Sequence, residues 1–274
     1  MTKLADGVVV VTGAGSGIGR ATALAFAQKG ARIAACDVDQ ARLDALATEL
    51  GDRCLVIRKV DVADRAQMAA FADEVHEHSP SGAADVVVNN AGVAVGGTFL
   101  EISLDDWDWL LGINLKGVVH GCHFFIPKMV ERKAGGHVVN ISSILGIYPA
   151  PTVTAYVASK FAVLGLSQSL RAELEPHKIG VTAICPGMIN TQIVADGRVR
   201  GMVGERREKV KAAFRKSGAP PELVARAIVD AVRTNPAVRT VGRDAAVVAA
   251  LARFAPRIGA AITSTLQRRF GAHG

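Results

Sequence analysis

Cysteine is scarce in this chain: four residues, at positions 36, 54, 122 and 185, with no C-x-x-C pair among them. A disulfide framework is therefore not expected, and reduced thiols in an intracellular protein account for all four. Aromatic residues make up only 5% of the sequence. The basic segments thus lack the aromatic interleaving of single-strand nucleic-acid binders, and no helix-turn-helix or finger signature stands in for it. Long apolar runs are missing as well. Arg253 and Arg257 interrupt the best candidate for the roughly 20 apolar residues that a membrane-spanning helix needs. The opening "MTKLADGVVVVTG" holds a four-residue apolar run that flows into a glycine turn, too short for a signal peptide. There is no linker, internal repeat or low-complexity segment. These absences predict a soluble, cytoplasmic protein that does not bind nucleic acid. "HGCH" at His120–His123 resembles a metal cluster, but its spacing is ordinary packing within an apolar helix, so no metal is expected.

What is present is apolar bulk and a skewed charge. Half of the 274 residues are hydrophobic, enough for a well-buried core. The formal charge of +7 is confined to two segments. Residues 196–216 carry eight Lys/Arg against three Asp/Glu, residues 239–274 carry six against one, and the remainder is acidic. Such patches suit an anionic partner or a solvated face.

Short runs that are apolar on both faces alternate with segments of helical period. The runs are 7–13, 31–37, 53–60, 84–90, 136–142, 180–186 and 238–242. Strands of that kind are buried parallel strands, and the alternation predicts an α/β fold: a doubly wound, Rossmann-like parallel sheet of about seven strands with helices on both faces. One domain is expected over 1–242, followed by an amphipathic, basic helical tail over 243–274.

In such sheets ligands bind beyond the carboxyl ends of the strands. After the first run comes "TGAGSGIG", with Gly13, Gly17 and Gly19 spaced G-x-x-x-G-x-G. A tight glycine turn of this kind lets a pyrophosphate approach the backbone at the positive end of the next helix. Asp37 ends the second run, 24 residues after Gly13, near the interval at which an acid meets the adenosine ribose. A carboxylate there favours NAD over NADP, and no arginine follows it directly; an N-cap role for Asp37 is compatible with this. Further on, "AYVASK" sets Tyr156 four positions before Lys160. On a helix the two share a face about 5–6 Å apart, and the ammonium is expected to lower the phenol's pKa.

Taken together these motifs resemble the short-chain dehydrogenase/reductase family, single-domain type, over residues 7–242. Their order and spacing match, through "DV" at Asp61–Val62, "NNAG" at Asn89–Gly92, Asn114 in "INLKG", Ser143 in "NISS" and "CPGMINT" at 185–191. The resemblance implies an oxidoreductase in which Asn114, Ser143, Tyr156 and Lys160 are catalytic. Tyr156 would be the acid/base, Ser143 a hydrogen-bond donor to the substrate oxygen, and Lys160 a holder of the nicotinamide ribose that tunes the tyrosine. Asn114 would interrupt its helix and hold a water that relays the proton. The resemblance further implies cofactor contacts from Gly13, Ser16, Gly17, Ile18, Gly19, Asp37, Asp61, Val62, Asn89, Ala91, Gly92, Tyr156, Lys160, Pro186, Gly187, Ile189 and Thr191.

Residues expected to face the substrate are Val95, Leu145, Tyr148, Met188 and Ile193, nearly all apolar. A lipophilic secondary alcohol or ketone fits them better than a sugar. Alternatives are an NADPH-preferring ketone reductase and a non-catalytic cofactor-binding regulator. Trp107, Trp109 and Cys185 read as packing residues. The resemblance implies a homo-oligomer, a tetramer with a dimer left open by the extended tail. The tail, for its part, could pack on the pocket, on another subunit or on a membrane surface.

Overall fold

The structure is a computed structural model that describes residues 4–194, 197–200, 212, 216–242, 245, 246 and 248. Most of the tail and most of the basic segment 196–216 lie outside the described residues, and so does most of the helix expected over 243–274.

Every residue of β1 (Val8–Thr12) is buried, as its unbroken valines require. Beside it, in hydrogen-bonded order, run β3 (Cys54–Lys59), β2 (Arg32–Asp37), β1, β4 (Val86–Asn89), β6 (Gly136–Ile141), β7 (Ile179–Pro186) and β9 (Val238–Val241). All pairings are parallel. The chain starts in the middle, winds outward to β3, returns to β4 and winds outward on the other side. The reversal falls between β1 and β4, where such sheets leave a crevice.

Alternation along the strands divides the core in two. Val9 and Val11 face α1 (Gly17–Ala27), α2 (Gln40–Leu50) and α7 (Pro221–Thr234), through Phe26, Leu46 and Ile228. Val8 and Val10 face α3 (Arg65–His78), α5 (Gly117–Arg132) and α6 (Thr154–Leu174), through Phe71, Phe125 and Val163. Asp39 caps α2 and Asp64 caps α3 by accepting first-turn N–H groups, and Pro221 opens α7.

One feature agrees with the expectation that Asn114 interrupts its helix, and one is not expected from the sequence. The segment ahead of α5 is not one continuous helix: α4 (Leu104–Leu111), with a Ser103/Asp106 capping box, passes through a π turn at Gly112–Lys116 that contains Asn114. A second, two-stranded parallel sheet pairs β5 (Val95–Gly96) with β8 (Arg198–Val199) beyond the carboxyl edge of the main sheet. No helix among the described residues is long and apolar enough to cross a membrane.

Candidate active site

A cleft of about 930 Å³ opens at the switch point and runs from Asp37 past the glycine turn to β8. Its floor at one end is the turn after β1. Gly13 has φ +64°, and a Cβ there would lie 2.7 Å from Ala91 Cα; a Cβ on Gly19 would lie 2.0 Å from the Gly13 carbonyl oxygen. Only glycine permits this approach of loop and helix. α1 starts at Gly17, and Ser16 at its N-cap makes no side-chain cap bond, so the first turn's N–H groups point at the cleft without a side chain to satisfy them. A cradle of bare backbone donors at a helix N-terminus fits a pyrophosphate.

Asn90 stitches this floor together: its Nδ2 donates to the Thr12 and Gly13 carbonyls at 2.9 and 3.0 Å. Thr12 Oγ1 accepts from the backbone of Asn90 and Ala91. At the far end Asp37 accepts from Gly15 N at 2.8 Å and from Asp39 N at 3.1 Å, which fixes both carboxylate oxygens at the edge of the cleft. The N-cap of α2 is Asp39, not Asp37. Arg42 reaches the same end of the cleft and pairs with Asp39 at 3.1 Å, although no arginine stands directly after Asp37 in sequence.

In the middle of the cleft α6 presents Tyr156 and Lys160 one turn apart, with Lys160 Nζ 5.5 Å from the tyrosine ring centre. Nζ also donates to the Ile141 carbonyl at 2.9 Å. Ser143, just past the end of β6, lines the cleft with Tyr156, pulls the pKa of its phenol down, and accepts from Leu145 N at 3.1 Å. Burial pushes the phenol up to about 12, against the pull of Ser143, with the Cys185 sulfur adding to the rise. Burial also pulls the Lys160 ammonium down to about 8. The expected lowering of the tyrosine by Lys160 is therefore not what this environment produces: loss of solvent dominates, and the Lys160 charge is not among the influences on the phenol. Cys185, buried at the end of β7, has its thiol pushed up to about 11 by burial.

Asn114 stands behind this group rather than in the cleft wall. Its side chain clamps the backbone of Val93, accepting from Val93 N at 2.8 Å and donating to Val93 O at 2.9 Å, and it donates to Ser159 Oγ at 3.1 Å. The π turn is what delivers it there.

Gly13, Ser16, Gly17, Ile18, Asp37, Asp61, Val62, Ala91, Gly92, Pro186, Gly187, Ile189 and Thr191 all line the cleft, as do Val95, Leu145, Met188 and Ile193. Besides Asn114, three anticipated residues do not. Asn89 is buried under the sheet edge, where its Nδ2 donates to Asn140 Oδ1 at 2.8 Å, and Asn90 takes the place expected for it. Gly19 supports the turn from behind, and Tyr148 lies outside the lining. Trp109, read from sequence as packing, lines the substrate end, whereas Trp107 packs edge-on against Phe99. Arg198 joins Trp109 there.

Comparison with known proteins settles what kind of chain this is. The family model described as short chain dehydrogenase matches residues 7–199. The chain belongs to the short-chain dehydrogenase family. Within it, the probable oxidoreductase EphD of Mycobacterium tuberculosis is 41% identical over 273 residues, covering 96% of this chain but 45% of its own length. The chain thus spans about half of that relative. The putative oxidoreductase SadH of the same organism is 37% identical over 261 residues, with 93% and 92% of the two chains covered. Among solved structures, a short chain dehydrogenase/reductase from Burkholderia phymatum in complex with NAD superposes with a TM-score of 0.81 at 31% identity, over 88% of this chain and 90% of that one. The Burkholderia neighbour, in complex with NAD, holds a nicotinamide dinucleotide. The glycine cradle, the fixed Asp37 carboxylate and the Tyr156/Lys160 pair fit that group along one cleft.

Proposed function

We propose that the protein is an NAD-dependent oxidoreductase that interconverts a lipophilic secondary alcohol and its ketone in the cytoplasm, with Tyr156 as the acid/base. The observation that carries this reading is the meeting of Tyr156, Ser143 and Lys160 in the wall of the cleft that begins at the glycine turn. When bound, the nicotinamide ring supplies the hydride acceptor or donor.

The chain's own residues supply the rest. Tyr156 stays protonated at neutral pH, so it is in the state needed to give its proton to the oxygen of a ketone. Ser143, in the same stretch of cleft wall, donates a hydrogen bond from its hydroxyl to that oxygen and stabilises the charge developing on it. Lys160, held at the Ile141 carbonyl, remains largely charged near pH 7 and stabilises the phenolate left behind. Asn114 positions Val93, a wall residue at the substrate end, and in the family reading adds the water relay. The apolar walls Val93, Val95, Leu145 and Ile193 exclude water and suit a hydrocarbon substrate.

Preference for NAD rests on Asp37, whose carboxylate accepts a ribose hydroxyl and repels a 2′-phosphate. Arg42 at the same end favours a second reading, an NADPH-driven ketone reductase. We read the protein as a homo-oligomer, tetramer or dimer, on the exposed Val119 and Phe161 of α5 and α6.

Titration with NADH and NADPH, followed by fluorescence, decides between the cofactors: tighter NADH binding is expected, and the reverse order turns the assignment to NADPH. Tyr156→Phe should abolish turnover of hydrophobic secondary alcohols and leave NADH affinity within about twofold, because one hydroxyl is lost and nothing else moves. Full activity in that variant ends the acid/base assignment.

A further inference from the structure

Hydrocarbon walls have no use for a guanidinium, yet Arg198 stands among them. Its backbone places it firmly: β8 pairs with β5, and Arg198 N donates to the Ala94 carbonyl at 3.0 Å. Its side chain is fixed on two further sides. The guanidinium carbon lies 4.0 Å over the Trp109 ring, and Nη1 donates to Asp106 Oδ1 at 3.2 Å. Stacking on an indole holds the planar fork in one orientation and lowers the entropy lost when it grips a ligand.

Charge counting shows that this arginine is in surplus. Asp106 is fully buried, and Arg200 engages both its oxygens, Nε to Oδ2 and Nη2 to Oδ1, each at 2.8 Å. That bidentate fork neutralises the carboxylate and, with Ser103 and Arg198, holds its acidity well below the usual carboxylate range. One carboxylate thus faces two guanidiniums. Arg198 makes only the single longer bond to it, is 41% exposed, and has no other side-chain hydrogen-bond partner among the described residues. It lines the same cleft as Tyr156.

We infer that Arg198 is a specificity residue that recognises an anionic oxygen group, carboxylate or phosphate, carried by the substrate beyond an apolar stretch next to the reacting carbon. The inference rests on the reading of this cleft as an alcohol/ketone site, and it narrows the substrate to an amphiphile with an anionic end. Val93, Val95 and Leu145 would take the hydrocarbon, while Arg198 takes the charge in a bidentate grip.

The test is binding, so it does not depend on turnover. Decanoate, decyl phosphate and decanol are titrated calorimetrically into the full chain loaded with NADH, in the native protein, Arg198→Gln and Arg198→Lys. At least one of the two anions should bind the native protein about tenfold or more tightly than decanol, as a desolvated charge-assisted pair allows. Arg198→Gln should erase that advantage and leave decanol within about twofold. Arg198→Lys, which keeps the charge without the fork, should fall between. Unchanged NADH affinity in both variants shows that the fold is intact. An advantage confined to decanoate assigns a carboxylate, and one confined to decyl phosphate assigns a phosphate. Equal binding of all three probes to the native protein overturns the inference, and so does an anion advantage that survives Arg198→Gln. An inactive enzyme that still shows the Arg198-dependent advantage would count against the Tyr156 reading alone.

Discussion

Beyond the ribose role proposed for it, Asp37 has a structural one. Its two oxygens tie the glycine turn, through Gly15, to the start of α2, through Asp39, so the carboxylate is aimed before any ligand arrives. Pre-aimed acceptors lose little freedom on binding, which sharpens their preference. Asp37→Ala should weaken NADH about tenfold, the worth of a charge-assisted hydrogen bond, and NADPH distinctly less. Fluorescence titration checks this, and equal losses would count against the ribose role. At this scale the sequence was informative where a short motif carries the chemistry: Gly13, Tyr156 and Lys160 stand in their motifs and in the cleft together. It was uninformative where the site is assembled across the chain. Arg198 and Asp106 are 92 positions apart, and no local pattern announces their meeting. Arg42 was overlooked because it lies a helical turn into α2 rather than beside Asp37. The acidity of Tyr156 could not be foreseen either, since burial is a property of the surroundings and not of the i, i+4 spacing.

Among the elements, the seven strands of the main sheet were legible because both their faces are buried and their apolar runs are unbroken. β5 and β8 were not, because two residues cannot display a period. α4 was hidden for another reason: its eight residues, Leu104–Leu111, make only about two turns, too short a window for a helical period to stand out. Helix endings offer a direct test of local strain. α5 stops at Lys133, an exposed residue with φ +55°, in the left-handed conformation where a side chain costs about 1 kcal/mol. Lys133→Gly should therefore raise the melting temperature by roughly 2–4 °C. The same change inside the helix, Lys128→Gly, should lower it, since there glycine costs about 1 kcal/mol and an ion pair to Glu131 is lost. Thermal melts of both variants with the same sign would refute the left-handed cap.

The molecule as a whole has a pH dependence written into its core. His137, buried in β6 against Thr182 of β7 at 2.9 Å, is pulled down to about 4 by burial, with the Arg171 charge adding to the effect. In the unfolded chain it titrates near 6.5. Its folded pKa is the lower one, so the unfolded state binds the extra proton. The stability this contributes is whole above about 6.5, declines as pH falls toward 4, and is gone below it, a loss of ~3 kcal/mol in all. Melting temperature measured between pH 7 and 4 should fall, and His137→Gln should flatten that fall; an unchanged slope in the variant would acquit the histidine.

The small sheet of β5 and β8 has a consequence for how such a protein changes its trade. In the proposed reading, the residues at the adenosine end of the dinucleotide come from one continuous piece of chain around β1 to β3. The wall facing the substrate is closed instead by two residues on each of two strands, drawn from distant loops. The two halves can therefore be rewritten separately. Grafting new sequence onto the stretches around Val95 and Val199 would leave the cofactor grip untouched, so a catalogue of substrates is open to this fold at the cost of a few side chains.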